Sequence, residues 1–249
     1  MQHNYITSLQ NERIKKVIEL HTTKGRKKQQ RYSAEGERIL EGFSRNHKEP
    51  LELFVTQEKL FVAQKLFSID PFIVTDAIMK KISTATTPSG IVAIFQYTHQ
   101  NELPTLTGPV LVLCSINDPG NMGTLIRSSV ACNVTTLILV GGCDPYNPKV
   151  IQASAGALAD ATLLQLTHEQ IITYKKTHTF CALTLHNGDS ITSITTKNVL
   201  LFVGNEAHGL SQEEVHMCDI RVTLPMSTHT ESFNAAVAGS IALFLMCNR

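Results

Sequence analysis

Residues 110–127 read VLVLCSINDPGNMGTLIR. The opening run Val110–Leu113 is continuously apolar, which is typical of a strand buried on both faces of a parallel sheet. Turn residues follow the strand, and a helical pattern begins directly after them. Ligands of such sheets bind beyond the carboxyl ends of the strands, so the polar residues after this run are candidates for a functional site.

The same alternation of apolar runs and helical patterns continues to the end of the chain. It predicts an α/β domain with a mostly parallel sheet covered by helices. The predicted strands of this domain are Val110–Ile116, Thr136–Val140, Thr162–Leu166, Thr179–Leu185, Asn198–Gly204 and Arg221–Leu224.

The first hundred residues have a different pattern. They predict helices over residues 8–22, with Ser8 as the cap, Glu37–Phe43 and Glu58–Phe67, and strands over Leu51–Val55, Pro71–Val74 and Ile91–Tyr97. The run from Lys24 to Arg31 carries five cations in eight residues and is expected to contribute little to a core. This part of the chain is therefore predicted to be a small basic α/β module.

Charge divides the chain near Thr98–Pro109. Residues 1–105 contain 15 Lys and Arg against 11 Asp and Glu, whereas residues 106–249 contain 7 against 10, so the two halves carry +4 and −3. We therefore predict a first domain over residues 1–100, a linker over 101–109 and a second domain over 110–249.

Composition excludes several classes of protein. Hydrophobic residues make up 43% of the 249 residues, which argues against extensive disorder. No apolar run approaches the roughly 18 residues of a membrane helix, and no secretory signal is visible. The six cysteines are spaced by eleven residues or more. They are interpreted as thiols of a reducing compartment, which predicts a cytoplasmic protein without a metal site.

Two further segments place polar residues at the ends of predicted strands. Gly204–Ser211 reads GNEAHGLS and follows an apolar run, and Leu224–Ala238 reads LPMSTHTESFNAAVA and leads into a final apolar helix. Because the carboxyl ends of parallel strands meet at one edge of a sheet, we expect these segments to lie beside residues 117–127.

Each segment also has a purely structural interpretation. Asp118-Pro119-Gly120 is turn chemistry, Ser211 with Glu214 fits a capping box, and Ser232 or Asn234 suits the cap of the last helix. Taken together, these interpretations leave the arginine at 127 and the glutamate at 206 unexplained. The sequence contains neither G-x-G-x-x-G nor a Walker A motif, which disfavours the usual glycine-rich nucleotide pockets.

The three segments resemble motifs one, two and three of the SpoU/TrmH family of RNA ribose 2′-O-methyltransferases, in the family's order. Asp144–Lys149 resembles a further family segment, and Asn11–Arg31 with Glu35–Glu37 resembles the substrate-binding domain that often precedes the methyltransferase domain. The resemblance implies a ribosomal-protein-like α/β domain, then a SPOUT-type α/β methyltransferase domain whose C-terminal chain forms a trefoil knot. It further implies S-adenosylmethionine as cofactor, RNA as partner, and a homodimer with active sites at the subunit interface.

The resemblance also assigns individual residues. The family's conserved polar residues fall on Asn121, Arg127, Glu206, Ser232 and Asn234. Its S-adenosylmethionine pocket falls on Leu183, Thr184, Gly204, Leu224, Pro225, Met226 and Phe233. His208 and Phe233 replace the family's more usual basic residue and leucine, and Ser227-Thr228-His229 lacks the usual glycine, which affects the expected substrate preference and loop shape.

Physical chemistry suggests a role for each polar residue. A guanidinium stays charged in proteins and is a poor general base, so we expect Arg127 to clamp a phosphate beside the target ribose. Asn121, Ser232 or Asn234 would then orient the hydroxyl, and Glu206 would orient that network or hold Arg127. RNA docking is predicted for seven cations of the first domain: Arg13, Lys16, Lys24, Arg26, Lys27, Lys28 and Arg31.

The sequence therefore predicts an S-adenosylmethionine-dependent RNA ribose 2′-O-methyltransferase, with rRNA preferred over tRNA as substrate. A non-catalytic RNA-binding or ribosome-assembly factor of the same fold is the alternative from another class. An oxidoreductase of the dinucleotide-binding type is a distant third, because its glycine fingerprint is missing.

Overall fold

A computed structural model describes residues 4–98, 103–225 and 232–247 of the chain. They fall into two compact units. One comprises Met1–His99 and Asp144–Asp160, and the other comprises Gln100–Cys143 and Ala161–Arg249. The sequence-based division differs at residues 144–160, which it places in the second domain but which pack with the first unit in the structure.

The first unit contains a mixed sheet with the strand order β1-β4-β3-β5-β2. Its strands are β1 (Asn4–Ile6), β2 (Arg31–Glu35), β3 (Glu52–Val55), β4 (Phe72–Val74) and β5 (Ile91–Gln96). Its first five helices are α1 (Glu12–Glu19), α2 (Thr23–Gln29), α3 (Glu37–Arg45), α4 (Leu60–Leu66) and α5 (Asp76–Ile82).

The second unit contains a seven-stranded sheet in which every strand pair is parallel. Its strands are β6 (Val110–Cys114), β7 (Thr136–Val140), β8 (Thr162–Gln165), β9 (Thr179–Leu183), β10 (Asp189–Ser190), β11 (Val199–Val203) and β12 (Ile220–Thr223). The remaining helices of the chain are α6 (Pro119–Ala131), α7 (Pro148–Ser154, in the first unit), α8 (His168–Ile171), α9 (Gln212–Met217) and α10 (Ala235–Cys247).

The buried strands explain why the second sheet is parallel. The order is β10-β12-β9-β11-β6-β7-β8, so β11 and β6 are neighbours near the middle. All five residues of each of these two strands are buried, as the continuous apolar runs predict. Neither strand can present a face to water, and helices must therefore cover both sides of the sheet. The parallel α/β prediction is confirmed.

Helix α1 begins later than the sequence predicts. Asn11, rather than Ser8, caps it, because the Asn11 side chain accepts a hydrogen bond from the backbone N–H of Arg13. Ile14 and Val17, at helical spacing, are buried in the core of the first unit.

The basic run after α1 differs more strongly from its prediction. Much of it forms helix α2, in which Arg26 is only 1% exposed. The Arg26 guanidinium donates to Asp144 at 2.8 Å, to the backbone oxygens of Leu20 and His21, and to Thr23 Oγ1. The predicted RNA contact of Arg26 is wrong, because its guanidinium is already occupied by protein partners and is closed to solvent.

The same ion pair helps to explain why residues 144–160 join the first unit. Two residues beyond Asp144, the Tyr146 ring stacks on Tyr32 and Tyr97, with ring centroids 4.5 and 4.3 Å apart. Tyr32 and Tyr146 are 6% and 8% exposed. Stacked aromatic rings and a buried ion pair therefore hold this segment to strand β2 and its surroundings.

Helix α10 packs along α6 in the second unit. Gly239 permits a close approach, because a Cβ at this position would collide with the Leu125 side chain. The Ser240 hydroxyl donates to the Ser128 hydroxyl at 2.7 Å across the same contact. The predicted trefoil knot stays a prediction, because residues 226–231 on the path of the C-terminal chain lie outside the described residues.

Two general features of the described residues bear on function. None of their helices is long and apolar enough to span a membrane. They also contain no group of three or more His, Cys, Asp or Glu side chains placed to hold a metal ion. The six cysteines, all within the described ranges, form no disulfide, and Cys114 and Cys181 are buried.

Candidate active site

The first two polar segments meet because they follow neighbouring strands. Strands β6 and β11 pair in parallel with Val203 opposite Leu113, so both end at the same edge of the sheet. Beyond that edge, Asn205 Nδ2 donates to the backbone oxygen of Ser115 at 2.8 Å. The expectation that these segments lie together is confirmed.

A chain of hydrogen bonds connects all three segments. Asn234 Nδ2 donates to Asn121 Oδ1 at 3.1 Å, and Asn121 Nδ2 donates to Glu206 Oε1 at 3.0 Å. The other carboxylate oxygen, Glu206 Oε2, accepts from Asn205 Nδ2 at 3.2 Å. We call Asn121, Asn205, Glu206 and Asn234 the amide–carboxylate network.

Local structure fixes the helix-borne members of this network. The Asp118 side chain caps α6 by accepting from the backbone N–H of Asn121, and Pro119 occupies the first turn. Asn234 Oδ1 accepts from the backbone N–H groups of Ala236 and Val237 at the start of α10. Asn234 is therefore a helix cap and a network member at once, so the cap interpretation is confirmed and its catalytic role stays a prediction.

The loop that carries Glu206 is folded back on itself. Asn205 and Gly209 exchange two backbone hydrogen bonds, of 3.0 and 2.9 Å. A Cβ at Gly204 would collide with the backbone of Gly209, and Gly209 has a φ of +68°. The two glycines around Glu206 are therefore required by a tight turn, which fixes the direction of the carboxylate.

The carboxyl of Glu206 is ionised at neutral pH. Partial burial acts to raise its pKa, but the hydrogen bonds from Asn121 and from nearby backbone N–H groups outweigh it. The net pKa of Glu206 lies below its ordinary value. The network therefore holds a fixed negative charge at the carboxyl end of β11.

Two cavities flank the loop Asn205–Gly209. The apolar cavity has a volume of about 380 Å³ and is walled by hydrophobic side chains with a few polar residues. Its lining includes Leu183, Thr184, Val203, Gly204, Leu210, Leu224, Ser232 and Phe233. The polar cleft has a volume of about 1070 Å³, and its lining includes Ser115, Asn117, Asp118, Asn121, His168, Glu214 and Asn234. Residues 205–209, with Glu206 among them, line both.

The predicted cofactor residues fall mostly on the apolar cavity. Leu183, Thr184, Gly204, Leu224 and Phe233 all line it. Pro225 is exposed and is not part of the lining, and Met226 lies outside the described residues, as do Ser227, Thr228 and His229. Ser232, predicted as a catalytic residue, lines the apolar cavity and not the polar cleft, whereas His208 lines both.

Arg127 is not part of this arrangement within one chain. It lies on α6 six residues after Asn121, about 9 Å along the helix axis. Its side chain is exposed and lines neither cavity. No hydrogen bond or ion pair holds it to any part of the chain that the structure describes. Of the two predicted roles of Glu206, orienting the amide network matches these contacts, whereas holding Arg127 does not.

The remaining predicted RNA-docking residues belong to the first unit and divide into two groups. Arg13 and Arg31 both pair with Glu52, at 2.8 and 3.2 Å. The lysines at 16, 24, 27 and 28 are exposed. The single Glu52 carboxylate offsets one of these two arginine charges, whereas the four lysines form no ion pair with the described residues.

Three residues of the site were missed as functional candidates. Asn205 had a usable signal, since it stands beside Glu206 in the second segment. The sequence indicates Glu214 only as half of a capping box, which the structure confirms, and no sequence pattern singles out His168. Their place in the polar cleft depends on a contact between α8 and α9, which no local pattern encodes.

Comparisons with known proteins cover both units. Residues 108–244 match the SpoU rRNA Methylase family, and residues 11–93 match the MRM3-like substrate binding domain. The chain is 30% identical to an uncharacterized tRNA/rRNA methyltransferase of Synechocystis, over 96% of this chain and 92% of the relative. It is 25% identical to a 23S rRNA (guanosine-2′-O)-methyltransferase of Bacillus subtilis, over 96% and 97%. The AdoMet-bound rRNA methyltransferase of Sinorhizobium meliloti is a similar solved structure, with 25% identity, a TM-score of 0.86 and coverage of 99% and 98%.

Proposed function

The chain belongs to the SpoU rRNA methylase family, and from this premise we propose that it methylates a ribose 2′-hydroxyl of ribosomal RNA. It is an RNA methyltransferase that uses S-adenosylmethionine. One observation carries the assignment of the site: Glu206 and its loop line both the apolar cavity and the polar cleft. A methyl donor in the cavity and a hydroxyl in the cleft would meet at this loop.

The apolar cavity suits the cofactor. Its volume of about 380 Å³ lies within the range of small-molecule sites. Leu183, Leu224 and Phe233 supply apolar surface, and the folded-back loop at Gly204 supplies backbone groups. When bound, S-adenosylmethionine supplies an electrophilic methyl group on a sulfonium cation. The ionised Glu206 carboxylate would favour a cation beside it.

The amide–carboxylate network suits the hydroxyl. Glu206 and Asn234 hold the Asn121 amide from both sides, which leaves one N–H and one oxygen lone pair for a substrate. A fixed amide can orient the ribose hydroxyl for in-line attack, and orientation of this kind contributes roughly 7–11 kcal/mol in well-positioned reactions.

Ribosomal RNA is preferred as the substrate on the basis of the relatives. The Bacillus subtilis protein, which is similar along nearly the whole chain, is a 23S rRNA 2′-O-methyltransferase. A Streptomyces viridochromogenes relative is a 23S rRNA (uridine-2′-O)-methyltransferase. It is 29% identical over 51% of this chain and 47% of the relative. Transfer RNA remains the alternative substrate.

A homodimer would complete the site with Arg127. Helix α10, which packs on the helix that carries Arg127, leaves Val237 46% and Phe244 60% exposed. Apolar side chains of this size are suited to a subunit interface. We propose that the interface covers them and brings Arg127 of one subunit to the mouth of the polar cleft of the other, where its planar fork would hold a phosphate outside the cleft.

Mixed dimers test this arrangement. Arg127→Ala and Asn121→Ala are each expected to be inactive alone. After random exchange of subunits, about a quarter of the wild-type activity should return, because half the dimers are mixed and each has one intact site. If no activity returns although mixed dimers form, Arg127 acts within its own subunit, and if Arg127→Ala is already active alone, Arg127 takes no part in the reaction.

The function itself is tested by mapping ribose methylation in total RNA from cells with and without the chain. We expect one or a few 2′-O-methyl positions in ribosomal RNA to depend on it. Dependence of tRNA positions instead would favour the alternative substrate. If no position changes and calorimetry detects no S-adenosylmethionine binding, a non-catalytic RNA-binding role would replace the proposal.

A further inference from the structure

The polar cleft contains a second polar cluster that the methyl-transfer network does not use. Glu214 and His168 line it together with Asn121, Glu206 and Asn234. Glu214 comes from helix α9, and His168 comes from helix α8. The cleft therefore joins the reacting end of the site to a carboxylate–imidazole pair.

The charge of the cleft indicates which part of a nucleotide it accepts. Its lining carries three carboxylates, those of Asp118, Glu206 and Glu214, and neither a lysine nor an arginine among the described residues. A phosphate in this lining would be repelled by nearby negative charges. The cleft is therefore suited to the neutral ribose and base of a nucleotide, with the phosphates outside.

The Glu214 carboxyl and the Nε2 atom of His168 are buried, although the His168 side chain as a whole is 30% exposed. Glu214 is 6% exposed, and its Oε2 accepts the backbone N–H of Ser211 at 2.7 Å in the capping box. Its other oxygen lies 3.4 Å from His168 Nε2, yet this nitrogen is buried and makes no hydrogen bond to the described residues. Leaving a buried polar group unbonded is costly, so a partner from outside the protein would be stabilised here.

We propose that Glu214 and His168 bind the hydrogen-bonding edge of the nucleobase whose ribose is methylated. This inference rests on the proposed function, since it requires an RNA nucleotide in the polar cleft. Every RNA base carries a donor beside an acceptor on its Watson–Crick edge, which matches a carboxylate oxygen beside an imidazole nitrogen. To reach them the base must leave its stack, so the substrate is an unpaired or extruded nucleotide.

The pair also distinguishes among bases, because the donor and the acceptor on the Watson–Crick edge stand in one order in adenine and cytosine and in the reverse order in guanine and uracil. A site that hydrogen-bonds a substrate group discriminates strongly against a base that lacks the group, because its own buried atoms are then left unpaired. The 205–209 loop and the Asn121 amide act on the ribose, which all nucleotides share. Glu214 and His168 are therefore specificity residues, whereas the amide–carboxylate network is not selective among bases.

The test uses Glu214→Gln, because glutamine also completes a capping box but replaces a carboxylate oxygen with an amide donor. Glu213→Gln is the matched control, since Glu213 is the exposed neighbour on the same helix turn and does not line the cleft. After the wild-type chain has been used to map the methylated position, four RNA fragments with each base at that position are compared. His168→Gln provides a second, independent change to the pair.

For Glu214→Gln we expect kcat/KM on the natural base to fall about tenfold to hundredfold, as for loss of a hydrogen bond to a charged group. The preference among the four bases should change, whereas S-adenosylmethionine affinity and the Glu213→Gln control should match the wild type. If Glu214→Gln and His168→Gln both keep the wild-type rate and base preference, the inference is overturned while methyl transfer stands. If the wild-type chain methylates no ribose, the proposed function fails and the inference fails with it.

Discussion

Arg26 in the first unit and Arg127 in the second carry the same guanidinium in opposite surroundings. Arg26 is 1% exposed and donates to the Asp144 carboxylate, two backbone oxygens and a threonine hydroxyl. Arg127 is exposed, and none of the described residues bonds to it. An arginine whose donors are mostly used by the protein stabilises a fold, whereas an exposed arginine with unused donors is available to a ligand or a partner subunit. We therefore expect their substitution to affect different properties.

The largest effect is expected for Arg26→Met. Removing this cation leaves the Asp144 carboxylate buried without its partner, which should lower the free energy of unfolding by about 3–5 kcal/mol. Chemical denaturation measures it, and Lys28→Met on the same helix is the control, because an exposed lysine contributes less than about 0.5 kcal/mol. Equal stabilities of the two variants would contradict the structural role of Arg26.

Arg127→Lys should leave stability unchanged and lower activity. Lysine keeps the charge but loses the planar fork that binds a phosphate through two parallel hydrogen bonds. We expect kcat/KM to fall by about a hundredfold, which corresponds to about 2.7 kcal/mol of transition-state stabilisation. Steady-state kinetics measures the loss of activity, and thermal unfolding checks that the stability of the variant is unchanged. Near-normal turnover would show that the positive charge alone is enough and would contradict a bidentate phosphate clamp by Arg127.

The smallest effect is expected for the exposed lysines beside Arg26. Lys24→Gln and Lys27→Gln together should weaken RNA binding a few-fold and reduce the slope of log affinity against log salt by about 1 for each lysine. Binding measured at several salt concentrations provides the slope. Lys48→Gln, at another exposed position of the same unit, is the control. An unchanged slope in the double variant would exclude this helix from the RNA contact.

The parts of the fold that sequence could predict are those with a strong local pattern. Strand β7 has the predicted bounds, Thr136–Val140, and β6 begins at the predicted residue, because strands buried on both faces are continuously apolar. The sequence does not predict strand β2, because its buried residues include Ser33 and Glu35 and these polar side chains interrupt the apolar pattern of a core strand. The hydroxyls of Ser83 and Thr84 donate to the buried Glu35 carboxylate and offset the cost of its burial.

The assignment of residues 144–160 could not be predicted for a different reason. Arg26 and Asp144 are 118 positions apart, and neither residue alone indicates a buried ion pair.

The candidate active site could be predicted in part. Sequence placed Asn121, Glu206 and Asn234 at strand ends that turned out to be neighbours, but the direction of each hydrogen bond depends on turns and caps built from several segments.

Methyl transfer by purified wild-type and Asn121→Ala chains tests the central claim most directly. Each is incubated with S-adenosylmethionine and RNA from cells that lack the chain, and the RNA is digested to nucleosides for mass spectrometry. We predict that the wild type yields a 2′-O-methylnucleoside and that Asn121→Ala yields at least about a hundredfold less while binding S-adenosylmethionine normally. Methyl groups on a base instead of a ribose, or full activity of Asn121→Ala, would contradict it.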